Sequence, residues 1–301
     1  MIDLPQFIDN TPHRLNILLT GASGQLGQAI QQTLKPYRDI AVTALSHKDF
    51  DITDHKQVEQ HLHLSQYTHI INCAAYTAVD KAESDKETCN KINIEGVGNL
   101  ALASAERGIK VLHFSTDYVF DGKAKVPYKE DSIAQPLNVY GQSKLDGEKI
   151  LFANNPDSIV LRTGWLYSAF GHNFVKTILR NARQGTLLRV VSDQTGTPTF
   201  AEHLASAVAS ILISPDWIPG IYNYTNEGQT TWYEFAKKII EDTYPNALLT
   251  VCSTTDYHAA AQRPAFSVLD KSKIKQTFNI TIPHWTEGLK ECLKVLQNNA
   301  N

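Results

Sequence analysis

Leu15 to Thr20 (LNILLT) is a short apolar run ending at a glycine-rich turn, the pattern of a buried strand. Leu26 to Leu34 then predicts a helix that stops near Pro36. Ile40 to Leu45 predicts a second strand, Val58 to Leu64 a helix, and His69 to Cys73 a third strand. In Ile92 to Arg107 the residues Ile92, Val97, Leu100, Leu102 and Ala105 fall at helical spacing, closed by Gly108, and Lys110 to Phe114 predicts the next strand. Ser158 to Arg162 continues as a strand and Asn173 to Asn181 as a helix. Beyond Pro215 the alternation loosens, with helices predicted at Trp232 to Glu241 and Thr286 to Leu296. Strands alternating with helices imply an α/β fold with a doubly wound parallel sheet. With no repeat, low-complexity tract or clear linker, the back half is expected to be a smaller C-terminal lobe grown out of that sheet.

Composition narrows the class. The chain has 301 residues, 42% hydrophobic and 20% charged, which suits a globular enzyme with a sizeable core. A formal net charge of −3 argues for neither a nucleic-acid nor a membrane partner. No apolar run reaches the ~18 residues of a membrane span. Residues 1–13 hold acids and prolines without an apolar stretch, so a loose N-terminal arm is expected there rather than a signal peptide. Cys73, Cys89, Cys252 and Cys292 show no CxxC spacing, so no metal site is expected and a reduced, cytoplasmic setting is.

The turn after the first strand reads Gly21-Ala22-Ser23-Gly24-Gln25-Leu26-Gly27, a GxxGxxG spacing. Glycines permit a tight turn and close approach of a pyrophosphate, and the following helix offers free N–H groups; the plainer alternative is a simple tight turn. The acid that would bind a ribose 2′-hydroxyl after the second strand is missing. Ser46, His47 and Lys48 stand there instead, suited to a 2′-phosphate, unless Lys48 is only a solvated charge. NADPH is therefore the expected cofactor, with NADH possible.

The fourth strand leads into Ser115-Thr116-Asp117, and Tyr140-Gly141-Gln142-Ser143-Lys144 follows. A helix puts Tyr140 and Lys144, four apart, on one face. Carbonyl reduction needs a proton donor at the oxygen, and a nearby lysine cation is expected to draw the tyrosine pKa below its usual ~10. Thr116 is suited to polarise the same oxygen. The alternative is a surface Tyr and Lys, since YxxxK occurs by chance.

At these residues the chain resembles the extended short-chain dehydrogenase/reductase family, and within it the dTDP-4-dehydrorhamnose reductases, which carry out the last step of dTDP-L-rhamnose synthesis. The resemblance runs from Leu15 to the C-terminal helix through Asn72 to Glu83, Ser115 to Gly122, Pro136 to Gly141, Arg162 to Trp165, Asp193 to Thr199, Arg263-Pro264 and Leu269-Asp270. It implies a Rossmann-type sheet in a dinucleotide-binding domain, residues 14–165 and 188–216, with a substrate-binding lobe at 166–187 and 217–301. It implies cofactor contacts at Gly21, Gly24, Gln25, Leu26, Gly27, Asp51, Ile52, Ala75, Tyr76 and Thr77, with Tyr140 and Lys144. Thr116, Tyr140 and Lys144 would carry catalysis, and Thr116, Asp117, Trp165 and Arg263 would meet a nucleotide-sugar substrate. Asp51 as an ordinary turn acid and Trp165 as ordinary core are the plainer readings. The implied activity is reduction of the C4 keto group of dTDP-4-dehydro-L-rhamnose. Rivals are a reductase of another nucleotide-linked deoxy keto sugar and a non-catalytic NADP-binding regulatory subunit. Sugar-nucleotide dehydratases carry Thr-Asp-Glu where this chain has Thr116-Asp117-Tyr118.

The resemblance also carries a departure. Some members form dimers around magnesium held by glutamates; of the matching positions one is Ala29, one is Glu202, and one is Thr286 with Glu287 beside it. Too few carboxylates remain for a dedicated magnesium site, so a monomer or a weak, metal-independent homodimer is expected.

Overall fold

The structure, a computed structural model, describes residues 15–257 and 259–298. The expected arm at 1–13, and residue 14 of the expected domain, lie outside the described residues. Strands β1 (Leu15–Thr20), β2 (Ile40–Leu45), β3 (His69–Asn72), β4 (Lys110–Thr116) and β5 (Ile159–Thr163) form one sheet with Gly220–Asn223. The order across it is Gly220–Asn223, β5, β4, β3, β1, β2, every pair parallel. After β2 the chain crosses to the other side of β1 to lay down β3. That reversal leaves a crevice beyond the carboxyl ends of β1 and β3, where open α/β sheets take ligands.

Helices cover both faces because the strands are apolar on both. On one face Leu18, Ile70, Val111 and Val160 meet the helices His55–Leu64, Gly96–Ala105 and Val139–Asn154. On the other Ile17, Leu19, Ile71 and Leu112 meet Gln25–Leu34, Ala201–Ile213 and Ser272–Phe278. A third core joins Tyr167, Ile178, Leu188, Phe235, Trp285 and Leu289 in the smaller lobe.

The expected strands and helices of the first 165 residues are present, with two differences of substance. β4 runs on to Thr116, since Ser115 and Thr116 keep register with Arg162 and Thr163 of β5. The helix expected from Ile92 is preceded by Lys86–Asn90 and opens with a π turn, Lys91–Glu95, before Gly96–Ala105. Gly220–Asn223 pairs with β5 in the main sheet, whereas Leu188–Val191 pairs with Leu249–Cys252 and packs in the lobe core. No helix among the described residues is long and apolar enough to cross a membrane.

Candidate active site

Gly21 turns the chain at φ +63°, in the left-handed region, and a Cβ there would lie 2.6 Å from Ala74 N and the Cys73 carbonyl carbon. The glycine thus lets the turn after β1 sit directly on the segment after β3. The helix Gln25–Leu34 starts from Gly24 with no side-chain cap and no acid in its first turn. Its free N–H groups and positive end are therefore left for an anion at the crevice. Leu26 and Gly27 are buried beneath the turn. The Gln25 side chain is anchored through Oε1, which accepts from Ser168 Oγ at 3.1 Å and Asn173 Nδ2 at 2.9 Å.

One cleft is lined by Gly21, Gly24, Asp51, Ile52, Ala75 and Lys91. Asp51 is exposed, with its carboxylate accepting from Thr53 N at 2.9 Å; Ile52 is buried. Of Ser46, His47 and Lys48, only His47 lines this cleft. The Ser46 hydroxyl donates to Asp49 Oδ2 at 2.6 Å, closing a turn that leaves Lys48 exposed. Lys91, which sequence reasoning missed, is the cation on the cleft wall. Tyr76 N donates to Asn93 Oδ1 at 2.9 Å and its phenol to Asp85 Oδ2 at 3.1 Å, while Thr77 is exposed. A wider groove lies between the helices Phe174–Arg183 and Trp285–Asn298, away from all of these residues.

Thr116 and Asp117 sit buried at the end of β4. The helix Val139–Asn154 is capped by Asn138, whose Oδ1 accepts from Gly141 N at 2.7 Å. Its second residue is Tyr140, and Lys144 follows one turn later on the same face. Gly147 lets this helix press against the backbone carbonyl of Asn93 inside the π turn, a type of helix defect frequent at functional sites. Burial pushes the Tyr140 phenol up to about 12, and its hydrogen bond with Thr116 works in the opposite direction. The expected lowering by a lysine cation is not what the geometry gives. The Lys144 nitrogen lies instead 3.1 Å from His113 Nε2, and burial draws it down to about 8. Asp117 is pushed up to about 6 by burial, opposed by bonds from Ser267 and Thr116.

Trp165 takes φ 50°, uncommon for a bulky residue and costly enough that surrounding structure must hold it. Its indole stacks on Trp232, centroids 3.6 Å apart at 8°, with Gly196 against its edge. Arg263 donates to both oxygens of Asp80, at 3.0 and 2.6 Å, and to the Ala261 carbonyl at 3.0 Å. The structure thus gathers the glycine turn, Asp51, Ile52 and Ala75 around one cleft, joins Tyr140 to Thr116 by a hydrogen bond, and sets Lys144 against His113. Trp165 and Arg263 are engaged with the chain's own groups.

Residues 15–298 match the model of a protein family described as the RmlD substrate binding domain. The chain belongs to this family. Among its RmlD relatives, a dTDP-4-dehydrorhamnose reductase from Aggregatibacter actinomycetemcomitans is 40% identical over 284 residues, covering 91% of this chain and 97% of that protein. The solved structure of a dTDP-4-dehydrorhamnose reductase from Clostridium acetobutylicum superposes with TM-score 0.90 at 39% identity, covering 94% of this chain and all of the other. One from Bacillus anthracis, solved in complex with NADP, superposes with TM-score 0.88 at 36% identity, covering 93% and 99%. The RmlD fold of this chain is accordingly of Rossmann type.

Within this RmlD chain sequence reasoning also gave no role to four buried polar residues, Asn72, Asn93, His113 and Ser143. Asn93 Nδ2 donates to Ser143 Oγ at 2.9 Å, tying the π turn to the Tyr140 helix. Arg162 is held by Glu148 through two bonds, at 2.9 and 2.7 Å. The signal that would have found Asn72 and His113 is a polar residue inside an apolar parallel strand, HIIN and KVLHFST, where nothing polar is expected without a partner.

Proposed function

We propose that the chain reduces the C4 keto group of dTDP-4-dehydro-L-rhamnose with NADPH, giving dTDP-L-rhamnose. The observation that carries this reading is the Thr116–Tyr140–Lys144 group, with Thr116 buried at the end of β4 and a half-buried Tyr140 and buried Lys144 on the helix Val139–Asn154, in a chain that has a glycine-turn cleft and whose full-length relatives bear the reductase name. The cleft suits a dinucleotide: Gly21 makes a cradle that a Cβ would fill, and the helix behind it is uncapped. Gly21, Gly24, Leu26 and Gly27, with the Gln25 backbone, would hold the pyrophosphate, and Asp51, Ile52, Ala75, Tyr76 and Thr77 the rest. The bound nicotinamide supplies the hydride. Tyr140, protonated because its pKa lies near 12, gives its proton to the keto oxygen. Thr116 donates a hydrogen bond to the same oxygen and stabilises the charge that develops there. Asp117, Trp165 and Arg263 would orient the nucleotide sugar, with substrate carried mainly by the smaller lobe. Four unpaired cysteines suit a reducing, cytoplasmic site of action. The reading includes a monomer or weak homodimer.

The test follows loss of nicotinamide absorbance by purified chain with NADPH and a panel of nucleotide-linked keto sugars. Turnover is expected with the dTDP-linked 4-keto sugar. Tyr140→Phe should lower it by ~10²–10⁴ with cofactor binding retained. Preference for another sugar of the panel overturns the substrate assignment. Cofactor binding with no turnover across the panel leaves a regulatory NADP-binding subunit.

A further inference from the structure

The loop 168–173 runs between two residues that meet the same ring. Trp165, three residues before it, stacks on Trp232, and Phe174, directly after it, packs on Trp232 with centroids 4.6 Å apart. The strand Leu166–Tyr167 leads into the loop and the helix Phe174–Arg183 leaves it. A third element holds the loop from outside. It is the helix behind the glycine turn, through its first residue, Gln25.

The hydrogen bonds settle which atom of Gln25 makes this tie. Asn173 caps the helix Phe174–Arg183, and its Oδ1 accepts from Lys176 N at 3.1 Å, so its Nδ2 is the donor. That donor meets Gln25 at 2.9 Å, and the atom it meets is therefore the acceptor, Oε1. The buried Ser168 hydroxyl donates to the same oxygen at 3.1 Å and accepts from Phe170 N at 3.0 Å. One carbonyl oxygen on the phosphate-turn helix thus holds both ends of the loop.

The loop is short and closed on itself, so it follows that oxygen as a unit. Asn173 Nδ2 also donates to the Ser168 carbonyl at 2.8 Å. A Cβ on Gly171 would stand 3.0 Å from Gln25 Cγ, so the loop lies close on the glutamine stem as well. No other hydrogen bond among the described residues joins the helix Gln25–Leu34 to this loop.

We propose that Gln25 is a positioning residue: it ties the phosphate turn to the loop between Trp165 and Phe174, so that a bound pyrophosphate fixes the aromatic cluster that would receive the nucleotide sugar. The tie stands on the geometry; what it serves rests on the reductase reading above. A phosphate at the helix N-terminus restrains the backbone of Gln25. A restrained Gln25 keeps Oε1 where Ser168 and Asn173 meet it. Cofactor and sugar nucleotide then favour one arrangement, and each tightens the other by the same factor.

Amide hydrogen exchange of the full chain, with and without saturating NADP⁺, reads the tie without any sugar. The reporters are the N–H groups of Phe170 and Lys176, whose acceptors are the two side chains that reach Gln25. Both should slow by about fivefold or more when NADP⁺ binds. Gln25→Met keeps the length of the side chain and removes the oxygen, and the slowing should vanish. Gln25→Glu keeps an acceptor in that place. Its charge opposes the phosphate and weakens NADP⁺ binding, but at saturation the slowing should return. No slowing in the unaltered chain, the same slowing in Gln25→Met, or none in Gln25→Glu overturns the proposal. An unaltered chain that binds no NADP⁺ overturns the cofactor reading and the proposal with it. The Kd of dTDP gives a second reading: NADP⁺ should lower it by about fivefold or more in the unaltered chain and leave it in place in Gln25→Met. Equal tightening in both chains overturns the coupling. If NADP⁺ slows the loop but dTDP binds neither chain, the substrate assignment falls and the tie stands.

Discussion

Two regions of the molecule differ in kind: on the first side Gly21, Gly24 and Ala75 line the cleft, and on the second Trp165 lies against Trp232 and Asp80 holds Arg263. The first side is shaped by turns a few residues long and stands open. The second is assembled from side chains far apart in sequence, Trp165 with Trp232 and Asp80 with Arg263, which already occupy one another. A dinucleotide can enter the first side with little rearrangement. Under the proposed function, a sugar nucleotide would share or displace contacts on the second, and its affinity would be a difference between two sets of interactions.

The largest effect expected from breaking this contrast comes from Gly21→Ala. The variant sets a side chain at φ +63°, a strain of about 1–2 kcal/mol, and drives a Cβ to 2.6 Å from Ala74 N. The NADPH Kd should rise by about tenfold or more, read by cofactor fluorescence, with the Trp165–Trp232 side unaltered. An unchanged Kd would mean that the open side is not the cofactor side. Next comes Arg263→Lys. A guanidinium can bind Asp80 and reach a phosphate with separate donors, whereas an ammonium cannot reproduce its fork. The KM for the keto sugar should rise about tenfold while that for NADPH holds. If the keto-sugar KM does not move, Arg263 serves only to tie residue 80 to residue 263. The smallest effect is reserved for Lys48→Ala. An exposed charge contributes about 0.2–1 kcal/mol, so NADPH should weaken only a few-fold, with NADH unaffected. Equal losses for both cofactors would remove Lys48 from any role at the 2′-phosphate, and Lys91 on the cleft wall becomes the cation to test.

The same contrast explains what could be read from the sequence. β1, the glycine turn and the helix after it are specified within twenty residues, by an apolar run, glycine spacing and helical periodicity. β2 to β5 follow from the same local rules. The Tyr140 helix was legible because its four-residue spacing is itself the chemistry. Arg263 with Asp80, and Gln25 with Ser168 and Asn173, are contacts across 143 to 183 residues, and no local pattern records them. The helix Ala201–Ile213 went unforeseen because AEHLASAVASILI is small and apolar on most sides, buried against Gln25–Leu34, and so lacks the polar stripe that marks an amphipathic helix. Leu188–Val191 and Gly220–Asn223 are four-residue strands, too short for alternation to show, and only their partners decide which side of the boundary they join.

Two indole rings held parallel with centroids 3.6 Å apart absorb as one coupled unit rather than as two chromophores. Of the four tryptophans, Trp217 lies edge-on to His69 and Trp285 edge-on to Phe235, so neither repeats that arrangement. The near-ultraviolet circular dichroism of the folded chain should therefore contain a component that belongs to the Trp165–Trp232 pair alone. It reports, without any attached label, whether Trp165 and Trp232 remain stacked.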